Sequence, residues 1–171
     1  MNPFIDRIIR AAKMDIHLYE EVEADKTAFG QSMLVVILSS VAAGIGVISQ
    51  GGMVGILTGT ISALIGWFIW AFLTYIIGTK VLPTPETRAD YGELLRTIGF
   101  SSSPGIIRII GIIPGLTGIV FMVSGIWMLV AMVIAVRQAL DYKSTFRAVG
   151  VCIIGWIVQF IVLGILFSLI R

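Results

Sequence analysis

Three consecutive serines and a proline, Ser101, Ser102, Ser103 and Pro104, interrupt a stretch that is apolar on both sides, and Arg108 follows four residues later. Proline has no N–H to give to the carbonyl of Phe100, so a helix running through this point is expected to kink at Pro104. If the surroundings are lipid, serine hydroxyls can take up the backbone groups that the break releases. Such a site is either a packing kink or the polar lining of a hinge or cavity, and both readings stay open at this stage. Arg108 either snorkels to the membrane surface or holds a lipid phosphate.

Other chemistry-bearing residues gather at the ends of apolar segments. Arg96, Arg137, Asp141 and Arg147 sit near such ends, and Arg137 and Asp141, four residues apart, are spaced to pair along a helix. Together with Arg96 they could form a basic pocket for anionic lipid headgroups. Glu20, Glu21, Glu23 and Asp25 have offsets that could hold a divalent cation, but a solvated charge run is the better reading. His17 lacks a partner at ligand spacing and reads as a surface residue. Motifs for nucleophilic, metal-assisted or phosphate chemistry are missing, and the single Cys152 cannot form an intrachain disulfide. With no carboxylate inside an apolar segment there is no sign of proton coupling. The sequence therefore predicts no enzyme, no cofactor and no metal site. The basic residues form no run or stripe, which excludes nucleic acid as a partner.

The elements that must position these residues are membrane helices. Hydrophobic residues make up 57% of the 171 and charged ones 13%, against about 45–50% and about 25% in soluble proteins. A chain of this size cannot hide so much apolar surface from water, so its solvent is lipid. Residues 2–23 read as one amphipathic helix, capped by Asn2 with Pro3 in its first turn, that lies in the headgroup boundary or docks on the protein's own loops. With the acidic linker it forms a cytoplasmic segment, residues 1–26, ahead of a membrane domain, residues 27–171. No cleavable leader or lipid anchor is expected.

Apolar runs place spans at 32–48, 53–81, 94–113, 117–136 and 148–170. Residues 106–136 are too long for one crossing, and Pro114-Gly115 divides them. Small residues at Gly51, Gly55, Gly59 and Ala63 line one helix face and are expected to pack within the chain rather than between subunits. Trp67, Trp70, Trp127 and Trp156 read as anchors or packing residues. Charge tests the count. With a cytoplasmic N-terminus, five crossings leave only Arg108 and Arg171 of the 12 basic residues towards the outside, and all 10 acids inside. The expected fold is therefore all-α and integral to the membrane. It has five spans, the third kinked at Pro104, an N-terminal interfacial helix and an external C-terminus.

A set of spaced residues adds a resemblance. These are Tyr91, Leu94-Leu95-Arg96, Gly99-Phe100 and Pro104, then Ile113-Pro114, Trp127, Arg137 between Ala135 and Ala139-Leu140, and Ser144-Thr145 with Arg147-Ala148. Over about residues 28–170 the chain resembles the Yip family in its short prokaryotic form, polytopic membrane proteins described as interactors of Ypt/Rab GTPases. The resemblance implies five spans, a cytoplasmic N-terminus, a very short external C-terminus and a role in trafficking or membrane shaping through partners; the expected location is multi-pass in the cell's inner or plasma membrane. Leu18-Tyr19 is followed by Glu20-Glu21 rather than the family's Gly-Pro, so a Rab-type GTPase partner is not carried over.

Three tasks are consistent with these features. The first is a non-enzymatic scaffold that organises lipids or recruits membrane proteins. The second is a passive channel, transporter or lipid scramblase built on the break at Ser101 to Pro104. The third is an accessory subunit or homo-oligomer held by the Gly55 and Gly59 face. Residues that would line a lipid site or pore are Tyr91, Arg96, Ser101, Ser102, Ser103, Pro104, Arg108, Arg137, Asp141 and Arg147.

Overall fold

Asn2 caps the first helix by accepting from the Phe4 amide at 2.9 Å, and Pro3 stands in its first turn. This helix, α1 (Pro3–Ala12), stops well short of residue 23. Met14 turns into the left-handed region at φ 61°, and Asp15 accepts from the His17 amide to cap a second helix, α2 (Ile16–Ala24). The single helix expected over residues 2–23 is thus a helical hairpin. The Asp15 side chain competes for a backbone N–H that a continuous helix would use, and a new helix starts there. The computed structural model describes residues 2–169, apart from the side chains of 162–164 and 166–169. The last residue of the fifth expected span, Ile170, and Arg171 lie outside the described residues.

Beyond the hairpin run α3 (Ala28–Gly46) and α4 (Ile48–Ile76), which ends in a π-helical turn, Ile77–Val81. The two helices are antiparallel: Ile56 packs on Gly44, Ser40 meets Thr60, and Phe29 stacks on Trp67. A positive φ of 55° at Gly52 bends the start of α4, a conformation glycine adopts without steric penalty. The Tyr142 hydroxyl lies within 3.2 Å of the Gly78 carbonyl and 2.7 Å of the Leu82 carbonyl, serving the far end of α4 where the π turn leaves carbonyls open.

Asp90 and Glu93 then form a reciprocal capping box that starts α5 (Tyr91–Phe100). The expected kinked span over 94–113 is not one bent helix. α5 ends at Phe100, Ser101 and Ser102 turn, and a 3-10 segment, Ser103–Ile112, follows. Pro104 sits in the first turn of that segment, where a missing N–H costs nothing, so it opens a new helical piece instead of bending an old one. Ser103 Oγ donates to the Phe100 carbonyl at 2.7 Å, the group that proline leaves without a donor.

α5 and the 3-10 segment run parallel to α3. Gly99 lies against Ser32, Gly105 against Ser39 and Gly111 against Gly46. The approach is close enough that a Cβ at Gly105 would collide with Ser39 Oγ, and one at Gly46 with the Arg108 carbonyl oxygen. α6 (Thr117–Ala139) returns in the opposite sense, placing Ser124 at Arg108 and Met128 at Gly105. α7 (Thr145–Leu169) starts beside Leu82 and rises past Trp70, which meets Gly155. Every described element is helical. Three helices are long and apolar enough to cross a membrane alone: Ala28–Gly46, Ile48–Val81 and Thr117–Ala139. α7 is apolar over Thr145–Ile161, and α5 with the 3-10 segment supplies two shorter pieces.

Exposed apolar side chains trace the surface the bundle shows to lipid. On α4 past the Gly52 bend they run from Met53 to Phe72, about 28 Å at 1.5 Å per residue, close to a hydrocarbon core of about 30 Å. On α6 with the residue before it, they run only from Leu116 to Val130, about 21 Å. The hairpin covers the rest: Ala11, Leu18, Tyr19 and Val22 are buried with Phe100 and Ala135, and Ile134 packs on them. Trp127 Nε1 donates to the Ala12 carbonyl at 2.7 Å.

Candidate functional site

Two polar regions stand out, one outside the apolar belt and one within it. The outer region is the hairpin and its support. Arg7 donates to Glu21 and Asp25 at 2.8 Å each and to Gln31 at 2.9 Å; Arg10 reaches Asp15 at 2.8 Å and Glu21 at 2.6 Å. Arg96, 6% exposed, turns away from any lipid. Its Nε donates to the Val22 carbonyl at 2.9 Å and its Nη2 to the Glu23 carbonyl, so a cation closes the C-terminus of α2 where the helix dipole is negative.

These contacts set the local titration. The Arg10 guanidinium holds the Asp15 and Glu21 carboxyls below the ordinary range, and Thr27 and Arg7 do the same for Asp25. Glu23 goes the other way. Burial, reinforced by Asp141, Glu93 and Glu20, pushes its carboxyl up to about 7. Glu21 and Asp25 of the acidic run thus belong to an ion-pair network with Arg7 and Arg10, and among the described residues no group of three or more His, Cys, Asp or Glu could hold a metal.

The expected basic pocket does not form. Arg137 does not pair with Asp141: it donates through Nε to the Tyr142 carbonyl at 3.1 Å and through Nη1 to Thr145 at 3.3 Å. α6 has ended at Ala139 and Asp141 sits in a left-handed turn at φ 53°, so the helical spacing that pairing required is gone. Arg147 reaches the Pro83 carbonyl at 3.5 Å, and Arg96 is committed to α2. Tyr91 anchors α5 on α4, donating to the Phe68 carbonyl at 2.8 Å with its ring edge on Phe72.

The inner region is a partly open cleft of about 440 Å³. Ser39 and Ser40 of α3 and Ile98, Ser101 and Ser102 of the broken segment form its base, with Arg108 beside them. α4 contributes Gly66, Trp67 and Trp70, α6 Gly125, Met128 and Met132, and α7 Trp156 and Gln159. Of the expected lining residues, Ser101, Ser102 and Arg108 therefore share one cleft. Ser103 and Pro104 are buried behind it.

Several donors in this cleft are uncommitted. Ser101 returns its hydroxyl to the Ile98 carbonyl at 2.7 Å, and Trp67 Nε1 donates to the Leu95 carbonyl at 3.0 Å. The hydroxyls of Ser39 and Ser102 and the amide of Gln159 make no hydrogen bond among the described residues. Trp70, 8% exposed, has a buried Nε1 with no acceptor there. Arg108 gives Nε to Ser124 at 2.9 Å and lies 5.4 Å from the Phe121 ring centroid, while its terminal nitrogens have no carboxylate among the described residues.

Ser39 and Gln159 escaped the sequence reading, which took Trp70 only as an anchor or packing residue. The signal was a lone amide in the last apolar run and a serine pair in the first. The small-residue face misled in the opposite direction. Gly51, Gly55 and Gly59 face open space within the chain, and only Ala63 packs on the core, so the expected intramolecular contact is made elsewhere, by Gly44 on Ile56. Spacing defines a smooth face; it does not supply the surface that meets it.

The family pattern of the Yip1 domain matches residues 20–167 of the chain. No curated protein and no solved structure matches it.

Proposed function

Because the chain belongs to the Yip family, we propose that it is a non-enzymatic scaffold that shapes the bilayer around itself and presents a charged face to partners. Five crossings fit the alternating directions of α3, α4, α5 with the 3-10 segment, α6 and α7. The charged hairpin and loops then lie on the cytoplasmic side of the cell's inner or plasma membrane, as the positive-inside rule requires.

The observation that carries the reading is the unequal apolar belt, about 28 Å along α4 past its Gly52 bend against about 21 Å along α6. A bilayer meeting both faces must thin on the α6 side, and hydrophobic mismatch costs a fraction of a kcal/mol per Å. Exposed Ile5, Ile9 and Ile16 let the hairpin sit in the headgroup layer at that shorter side. Reconstitution into liposomes tests this. Full-length protein is expected to narrow or deform vesicles in electron micrographs, and Arg96→Ala, which frees α2, to do so less. Vesicles indistinguishable from protein-free ones, with no partner captured on the charged face, would remove the proposal.

A second reading, passive passage of lipid or solute, draws on the cleft that Ser101 and Ser102 help to line. Lipid-flip and flux assays on Ser101→Ala combined with Pro104→Ala separate it from the first: unchanged rates leave only the scaffold.

A further inference from the structure

In lipid, a polar group without a partner costs several kcal/mol, and an intramembrane cation without a counter-ion marks a ligand more often than a packing accident. The cleft concentrates such groups. Arg108 offers two terminal nitrogens, Trp70 an indole N–H, Gln159 an amide, and Ser39 and Ser102 their hydroxyls. Arginine and tryptophan are donor-only, while the amide and hydroxyls can donate or accept. The missing partner is therefore rich in acceptors. It is also anionic, because the cleft carries a guanidinium and no carboxylate.

The remaining walls are apolar: Trp67, Ile98, Met128, Leu129, Met132 and Trp156. Two of these are methionines, whose flexible chains adapt to an irregular hydrocarbon. The volume of about 440 Å³ lies within the range of small-molecule sites, and the cleft is partly open rather than sealed. We propose that this cleft binds one phosphate-bearing lipid, with its phosphate on Arg108 and an acyl chain laid along the walls towards Trp70. A guanidinium whose Nε is held by Ser124 presents its remaining edge in a fixed plane, the geometry that suits two phosphate oxygens. Glycines at 66 and 125 leave room for the chain, since a Cβ at either position would meet nothing within 4 Å. The site stands apart from partner recruitment and belt height, so it holds or fails independently of the scaffold reading.

Delipidated full-length protein in detergent, titrated with phosphatidylglycerol brominated on its acyl chains, tests the assignment through quenching of tryptophan fluorescence. Saturable quenching at one lipid per chain is expected. Arg108→Gln should weaken it at least tenfold, and Arg108→Lys should retain most of it. Gly125→Leu, which fills the cleft, should abolish the saturable phase, while Gly59→Leu, on an open face away from it, should leave the phase intact. If Arg108→Gln does not fold, the lysine and leucine variants decide. Equal quenching in wild type and Gly125→Leu would mean only a general lipid coat and overturn the site. Tighter binding of brominated oleate would overturn the phosphate, and full competition by inorganic phosphate would overturn the acyl chain.

Discussion

The hairpin end and the intramembrane cleft handle arginine in opposite ways. Arg7, Arg10, Arg96 and Arg137 are met by carboxylates and carbonyls of the chain itself, whereas Arg108 keeps its terminal nitrogens free beside a row of other unused donors. Water reaches most of the first region, though not Arg96, and could replace a missing partner at its surface, yet few are missing. Hydrocarbon chains beside the second could replace none. Polar groups that serve the fold are paired even at a surface where water could stand in, and those left unpaired line an otherwise apolar cleft. The contrast separates structural charge from charge kept for a ligand.

The comparison is strained most by attacking the paired side. Arg96→Ala strips two carbonyls at the end of α2 of a buried charged donor, and about 3 kcal/mol of hairpin docking should go with it. Hydrogen exchange should then rise over α1 and α2 while the bundle keeps its protection; uniform loss would mean that the hairpin and bundle are one cooperative unit.

Serines provide a finer contrast. Ser103→Ala leaves the Phe100 carbonyl without its donor and should cost about 1 kcal/mol in a denaturation titration, while Ser39→Ala, whose hydroxyl bonds nothing in the described chain, should cost close to nothing. Equal effects would erase the distinction between committed and uncommitted hydroxyls.

pH tests the same end through Glu23. Its folded carboxyl titrates at about 7, above the ordinary 4.5, because burial and the neighbouring Asp141, Glu93 and Glu20 disfavour its charge and Arg96 only partly offsets them. Its contribution to docking is complete below about pH 4.5 and is lost as pH rises through 7. Hairpin protection, corrected for intrinsic exchange, should therefore be greater at pH 5.5 than at pH 8, and Glu23→Gln should flatten that difference. The smallest effect belongs to Lys143→Ala. Its ion pair with Glu86 at 2.7 Å is in water, so no measurable change in melting temperature is expected.

Much of this contrast could be read from the residues. Asn2 and Pro3 announced the first helix, the serine-proline run located the break, and the one-sided distribution of charge matches the end where α3, α5 and α7 begin. The rest depends on which helix faces which, and periodicity within one segment does not encode that. Arg96 looked like a membrane-end cation until α2 came to lie on it. The same holds for Trp70 and Ser39, ordinary in their own helices and distinctive only because α7 and the 3-10 segment bring them to one cleft.

The tight winding after the serines has a consequence for Arg108. Each residue of a 3-10 helix turns the chain by about 120°, against about 100° in an α-helix. Over the six steps from Ser102 to Arg108 the two windings diverge by about 120°, a third of a full revolution. An α-helical version of the same residues would swing the guanidinium off the cleft axis and draw it nearer the serines along the segment. The pitch of one short segment thus aims the cation that lines the cleft, and a sequence change that relaxed it would re-aim that charge without touching Arg108 itself.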